Sequence, residues 1–229
     1  MSSSGLTRRY RAINPSPMKS KSFYFRLLLV AGMIVASLIL YPKLPDTIPT
    51  HWGINGQPDD WGSKVWAAWL IPGISIVFML LFPFLAKIDP KSENYKKFSG
   101  PYQAIQTLLI AFMAFIFFLQ YYFTFYPARQ ELMTPIMLSA MGVMFIVLGN
   151  TMGKVRQNFF VGLKTPWTLA DPEVWQKSQR LAGWMFVIAG IIFLLEAWLQ
   201  LYVGIVFIIV ILAIVLVPTV YSYLLFKKK

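Results

Sequence analysis

YVGIVFIIVILAIVLVPTVYSYLLF, residues 202–226, is a run of 25 positions without one charged side chain, closed by Lys227, Lys228 and Lys229. At about 1.5 Å per residue it is long enough, as a helix, to cross roughly 30 Å of hydrocarbon. Five further stretches read the same way, at 23–41, 65–86, 102–126, 135–152 and 181–200. The chain as a whole is 57% hydrophobic and 13% charged, against about 25% charged in ordinary soluble domains. At 229 residues such a chain cannot bury that much apolar side chain in one water-soluble core. A soluble enzyme, a disulfide-stapled domain and a disordered tail are excluded. The expected fold is an all-α integral membrane protein of six transmembrane helices.

Prolines 72, 83 and 218 fall inside the second and sixth stretches. Such prolines kink membrane helices without breaking them, because neighbours re-satisfy the freed carbonyls. Gly142 and Gly149 in the short fourth stretch predict close packing on a neighbour. Gln120 and Asn150 are candidate hydrogen bonders between helices. The first stretch lacks a small-residue cleavage site and reads as a retained helix, with 1–22 as a basic, flexible arm and 23–229 as one membrane domain. No internal repeat is visible.

The formal net charge of +12 is unevenly distributed. All of the 21 Lys and Arg residues except Lys43, Lys64 and Arg129 lie before the first stretch or at its start, between the second and third, between the fourth and fifth, or after the sixth. The positive-inside rule therefore predicts both termini in the cytoplasm. The charge then reflects topology and attraction to anionic headgroups of the lipid bilayer, and no direct nucleic-acid role is expected. There is no cysteine, so thiolate nucleophiles and zinc–thiolate sites are excluded.

Two connecting segments are too distinctive to be passive. The outer one, 42–64, contains four prolines and the turn pair Asn55-Gly56, which predicts two extended arms folded back on each other. Trp52 and Trp61 would sit at headgroup level. His51 with Asp59 or Asp60 permits two readings: a cation, metal or acid–base site, for which His51 and Asp59 are weak candidates, or a structural role in which His51 bonds the turn and an aspartate caps the second helix. The inner segment, 153–180, interleaves Lys154, Arg156, Lys164, Lys177 and Arg180 with Phe159, Phe160, Trp167 and Trp175. That composition suits a segment lying in the headgroups, and equally a protein-binding surface. Asp171-Pro172-Glu173 is a helix start, predicted to run on into the fifth span. Glu196, near the outer end of that span, is an intramembrane acid and so a functional candidate. No chain of acids crosses the bilayer, and no nucleophile triad, metal-protease motif or phosphate loop is present.

At these segments the sequence resembles the SdpI-like membrane proteins. One block is Leu44-Pro45-Asp46, Ile48-Pro49-Thr50-His51-Trp52, Gly56, Pro58-Asp59 and Trp61. The other is Gly149-Asn150, Met152-Gly153-Lys154, Arg156, Asn158-Phe159-Phe160, Gly162, Lys164-Thr165-Pro166-Trp167-Thr168-Leu169, Val174-Trp175, Arg180 and Gly183. The resemblance implies immunity against a secreted peptide toxin that collapses membrane potential, and a relay that holds a cytoplasmic transcriptional repressor at the membrane. The expected outer, toxin-facing set is His51, Trp52, Asn55, Asp59, Asp60, Trp61 and Glu196. The expected inner docking set is Lys154, Arg156, Asn158, Phe159, Lys164, Trp167 and Trp175. No cofactor and no catalytic residue are expected; a small-molecule or ion transporter and a membrane-embedded metal-dependent enzyme are the alternatives.

Overall fold

The computed structural model describes residues 20–229. Of the basic arm expected over 1–22, residues 1–19 lie outside the described residues. The last two already belong to helix α1 (Lys21–Leu40), because Ser20 Oγ accepts from the Phe23 amide at 3.2 Å and caps it.

A β-hairpin follows, β1 (Thr47–Trp52) against β2 (Pro58–Ser63), antiparallel with Ile48 opposite Gly62 and Pro49 opposite Trp61. Its turn closes through the Gly56 amide on Gly53 O at 2.9 Å, with Gly56 at φ +75°. The remaining helices are α2 (Lys64–Ile88), α3 (Ser99–Phe125), α4 (Met133–Met152), the single-turn α5 (Pro166–Ala170), α6 (Pro172–Leu199) and α7 (Val203–Lys227). Among the described residues, six helices are long and apolar enough to cross a membrane, as the sequence predicts. Helices α2 and α7 continue unbroken through Pro72, Pro83 and Pro218. Helix α6 starts at Pro172 beneath an Asp171 cap and runs straight on into the fifth span.

The six long helices form two triplets. In the first, Val30 and Met33 of α1, Ala68 of α2 and Ile110, Ala114 and Phe117 of α3 share one buried cluster. In the second, Leu138 and Phe145 of α4, Ala189 and Phe193 of α6 and Val210 and Ile214 of α7 share another. The second triplet is built on a tight antiparallel crossing. A Cβ placed on Gly149 would stand 2.5 Å from Gly183 O, and one on Gly190 would stand 2.5 Å from Gly142 O. Four glycines, spaced seven apart on each helix, thus let two backbones meet without side chains between them, as small residues do in membranes. Gly142 and Gly149 meet the sequence expectation. Gln120 and Asn150 do not: Gln120 bonds the hairpin, and Asn150 Nδ2 donates to Ile146 O of its own helix.

The triplets are joined at their two ends by the two segments that the sequence singles out. At the hairpin end, Trp52 packs with Leu119 and Phe123 of α3 and with Met133 and Met137 of α4. At the opposite end, Tyr95, Phe98 and Tyr102 pack with Val155, Trp175, Val161 and Leu169 around the segment 153–171. This second end, the loop end, gathers every basic residue of the described chain except Lys43, Lys64 and Arg129.

Candidate functional site

Two polar bonds fix the hairpin to the bundle. Gln120 Nε2 donates to Pro49 O at 2.9 Å, and Thr134 Oγ1 donates to Ile54 O at 3.1 Å. The proline at 49 leaves its strand no amide there, but its carbonyl is free to accept. On the exposed side His51 Nδ1 meets Asp59 Oδ1 at 2.5 Å. Both groups are more than half exposed, so this contact contributes little to stability. Neither aspartate caps α2, contrary to the structural reading of the sequence. Ser63 Oγ does so, accepting from Val65 N at 3.2 Å, while Asp60 Oδ1 turns back to the Trp61 amide at 2.9 Å. Asn55 Oδ1 accepts from Gln57 N at 3.1 Å within the turn. Lys64, 2.7 Å from Asp46, ties the hairpin base together and holds the Asp46 carboxyl below the usual carboxylate range.

Under the hairpin lies a largely apolar cavity of about 620 Å³, floored by Met133, Met137 and Met141 and walled by Ile116, Val203 and Phe207. Methionine gives such a wall an adaptable, polarisable surface. Trp52 lines this cavity, and its indole N–H is buried without a hydrogen-bond partner. Ile54, which borders the cavity, is 71% exposed, and Trp61 is exposed on the hairpin without lining it. Glu196 is displaced from the expected toxin-facing set. It is buried at the α6–α7 turn, where its Oε1 accepts from the Tyr202 amide at 2.6 Å and serves the otherwise unpaired start of α7.

At the loop end, segment 153–171 is held by buried amides and one aspartate. Asn158, 0% exposed, donates to Arg156 O and Val161 O at 2.8 and 2.9 Å and accepts from the amides of Phe160 and Val161 at 2.9 and 2.6 Å. Asp89 reaches across from the end of α2, accepting from Phe159 N at 2.8 Å and from Tyr95 Oη at 2.9 Å. Gln157 Nε2 donates to the carbonyls of Thr168 and Leu169, and its Oε1 accepts from Lys91 Nζ. Gln179 bonds both the amide and the carbonyl of Leu163, and Gly162 packs on it at φ +109°. Trp175, 1% exposed, donates from Nε1 to Val155 O at 2.9 Å. Thr165 and Thr168 cap α5 reciprocally, and Thr165 Oγ1 also meets Ser222 Oγ of α7 at 3.2 Å. Lys229 closes the segment on Asp171 at 2.8 Å. With the Val174 amide, Lys229 keeps the Asp171 carboxyl below its ordinary range.

Two residues of the expected docking set are therefore corrected. Asn158 and Trp175 are interior supports, because their polar groups are consumed within the segment and almost none of their surface is free. Trp167 is half-buried against the ring of Tyr223, 5.1 Å between centroids. Lys154, Arg156, Phe159 and Lys164 do face outward. Arg156 Nη1 donates to Gln176 Oε1 at 3.0 Å, and Lys164 Nζ donates to Phe160 O. Sequence reading missed Asp89, Tyr95, Gln157 and Gln179. The signal for Asp89 was its place before Pro90 in an otherwise lysine-rich connection; the glutamines carried none.

The chain is similar to known proteins in both halves. The profile of the SdpI/YfhL protein family matches residues 154–222, the loop end with α6 and most of α7. A domain of unknown function, DUF1648, matches residues 28–76, spanning α1, the hairpin and the start of α2. The Immunity protein SdpI of Bacillus subtilis (strain 168) is 28% identical over 204 residues, which is 88% of this chain and 94% of that protein. The chain is SdpI-like. An uncharacterized protein of Archaeoglobus fulgidus is 36% identical over 55 residues, 23% of this chain and 30% of that one. No solved structure matches. This SdpI-like chain is a multi-pass protein of the cell membrane, and its two family matches fall one on each triplet.

Proposed function

We propose that this protein confers immunity to a secreted, apolar peptide toxin that it meets at the hairpin, and that the loop end docks a cytoplasmic transcriptional repressor. The observation that carries the reading is the near full-length similarity to a protein named for immunity. The positive-inside rule orients the molecule, with the loop end in the cytoplasm and the hairpin outside. The cavity of about 620 Å³ beneath the hairpin suits an apolar peptide side chain or helix face, and the unpartnered Trp52 N–H suits a carbonyl of its backbone. At the other end, Lys154, Arg156, Phe159 and Lys164 supply cations around one exposed aromatic ring, a composition that partner surfaces favour.

The test is a sensitive strain challenged with the cognate peptide, scored for survival and for reporter induction in the same cells. Met137→Trp, which fills the cavity, and Trp61→Ala, which removes the exposed indole of the hairpin, should cut protection at normal membrane abundance. Arg156→Ala and Phe159→Ala should leave protection intact and abolish induction; an anchor of this kind is worth about 2 kcal/mol. Full protection by Met137→Trp and Trp61→Ala at normal abundance would refute the hairpin as the receiving face. Loss of protection in Arg156→Ala would refute a separate docking role.

A further inference from the structure

Arg26 stands on the second turn of α1 and is 3% exposed, in a helix that crosses the membrane. Its Nη1 donates to Gln103 O at 3.3 Å and to Thr107 Oγ1 at 3.0 Å. No carboxylate among the described residues lies within ion-pair distance of it, and residues 1–19 contain no Asp or Glu to supply one. A buried cation without a counter-charge is costly, and within membrane helices such groups mark ligand or ion sites.

Beside Arg26 is a cavity of about 120 Å³ bounded by the start of α1, the end of α2 and the start of α3. Lys87 and Lys96 also line it, with the hydroxyls of Ser92 and Ser99 and the buried amide of Gln106. The carboxylates nearby do not neutralise this set. Asp89 is engaged by the Tyr95 hydroxyl and by the amides of Phe159 and Lys91, and Glu93 pairs with Lys96 at 2.8 Å, leaving Arg26 and Lys87 without an acid. The first turn of α3, where Ser99 stands, adds the positive end of a 27-residue helix.

We propose that this cavity binds a phosphate group. Two unpaired cations, Arg26 and Lys87, line with hydroxyl and amide donors a space that admits one tetrahedral anion, and Lys96, paired with Glu93, borders it. A guanidinium is the side chain best shaped for such an anion. The helix ends lie where headgroups lie, which favours the phosphate of an anionic phospholipid over free phosphate. Ser99 and Gln103 also border a second groove, about 610 Å³, that runs along α3 past Ala104, Leu108 and Ala111 to Val147 of α4. A lipid whose phosphate meets Arg26 has an apolar path there for a chain. The site is distinct from both the hairpin cavity and the exposed face of 153–171.

The experiment uses the full chain in detergent micelles. Phosphatidylglycerol and phosphatidylcholine are titrated separately by native mass spectrometry, and inorganic phosphate by thermal shift. Phosphatidylglycerol should bind at least about tenfold tighter than phosphatidylcholine, whose choline brings a further cation into a cationic cavity. Arg26→Gln should weaken phosphatidylglycerol about tenfold and Lys87→Gln roughly fivefold, and Lys96→Gln, which also releases Glu93, should weaken it further when added to Lys87→Gln. Stabilisation by millimolar inorganic phosphate that disappears in Arg26→Gln, without phosphatidylglycerol binding, would support the phosphate site and make its source free phosphate. Binding of neither probe, or phosphatidylglycerol affinity unchanged in all the variants, would overturn the proposal. Should Arg26→Gln fail to fold, the Lys87→Gln/Lys96→Gln double variant decides, and unchanged affinity there overturns it equally.

Discussion

Gly149→Ala adds a single methyl group at the most crowded point of the α4–α6 crossing. The new Cβ would stand 2.5 Å from Gly183 O, 2.8 Å from Val187 Cγ2 and 2.9 Å from Val187 N. Ordinary contact begins near 3.4 Å, so the helices must separate by roughly 0.9 Å at this point. Two of the three obstacles are backbone or tied to it, which rules out relief by a rotamer change. Overpacking of this kind costs about 1–3 kcal/mol, and the backbone obstacle places Gly149 at the upper end. Against this, alanine gains up to about 1 kcal/mol of helix propensity over glycine. The net loss is about 2 kcal/mol, or a fall in Tm of roughly 4–8 °C for a chain of this size. Thermal unfolding in detergent, followed by circular dichroism, measures it. Gly73→Ala in α2 is the internal control, since its Cβ would meet nothing within 4 Å; it should hold Tm or raise it. Equal Tm values for Gly149→Ala and Gly73→Ala would refute the close crossing.

Asn158→Ala should loosen the whole loop end, because two part-buried carbonyls and two amides lose their partner at once. About 1–3 kcal/mol is expected for each group left unpaired, read as rapid proteolysis within 153–170 at unchanged membrane insertion; resistance equal to wild type would refute the support role. Gln120→Leu should release the hairpin from α3 by removing its bond to Pro49 O, with faster hydrogen exchange over 47–63 as the measure and unchanged exchange as the refutation. Acidification should free the chain end. A carboxyl held below its usual range contributes above its unfolded value and loses that contribution as pH falls through the folded one, so the Lys229–Asp171 tether should persist at pH 6 and weaken below about pH 4. A spin label at position 228 reports this, and equal mobility at pH 6 and pH 3 would refute it.

The spans, the hairpin and the α6 start were legible because each rests on local chemistry. Uninterrupted apolar runs, Asn55-Gly56 between proline-bearing arms and Asp171-Pro172-Glu173 each determine their own neighbourhood. The glycines at 142 and 149 signalled a close approach, but their partners Gly183 and Gly190 became visible only with the antiparallel register. What stayed hidden was direction. Asn158 shares its segment with Arg156 and Phe159, and a loop without periodicity does not say which side chain turns inward. Trp175 sits on the first turns of α6, whose covering segment only the fold supplies. Asp89 and Gln157 lie far apart in sequence from the groups they bind, so only the fold reveals them as supports. The separation between expected interface and observed scaffold falls along that line.

The placement of the two conspicuous segments constrains how the proposed relay can work. At its two glycine contacts the α4–α6 crossing sets backbone against backbone, with no side chain there to deform, which favours movement of these two helices as one body. An occupant of the hairpin cavity touches Ile116 of the first triplet and Met137, Val203 and Phe207 of the second. It therefore acts on the separation of the triplets. At the far end that same separation is spanned by Asp89, which reaches from α2 to the Phe159 amide, and by Lys91, which reaches Gln157. A small displacement must lengthen these bonds or shift segment 153–171 with one triplet, and either event repositions the exposed Phe159 and Arg156. The coupling needs only that the two arrangements differ by a free energy comparable to the occupant's preference between them, about 1.4 kcal/mol for each tenfold change in population. No wire of side chains through the bilayer is required, because both segments are clamps on one and the same interface.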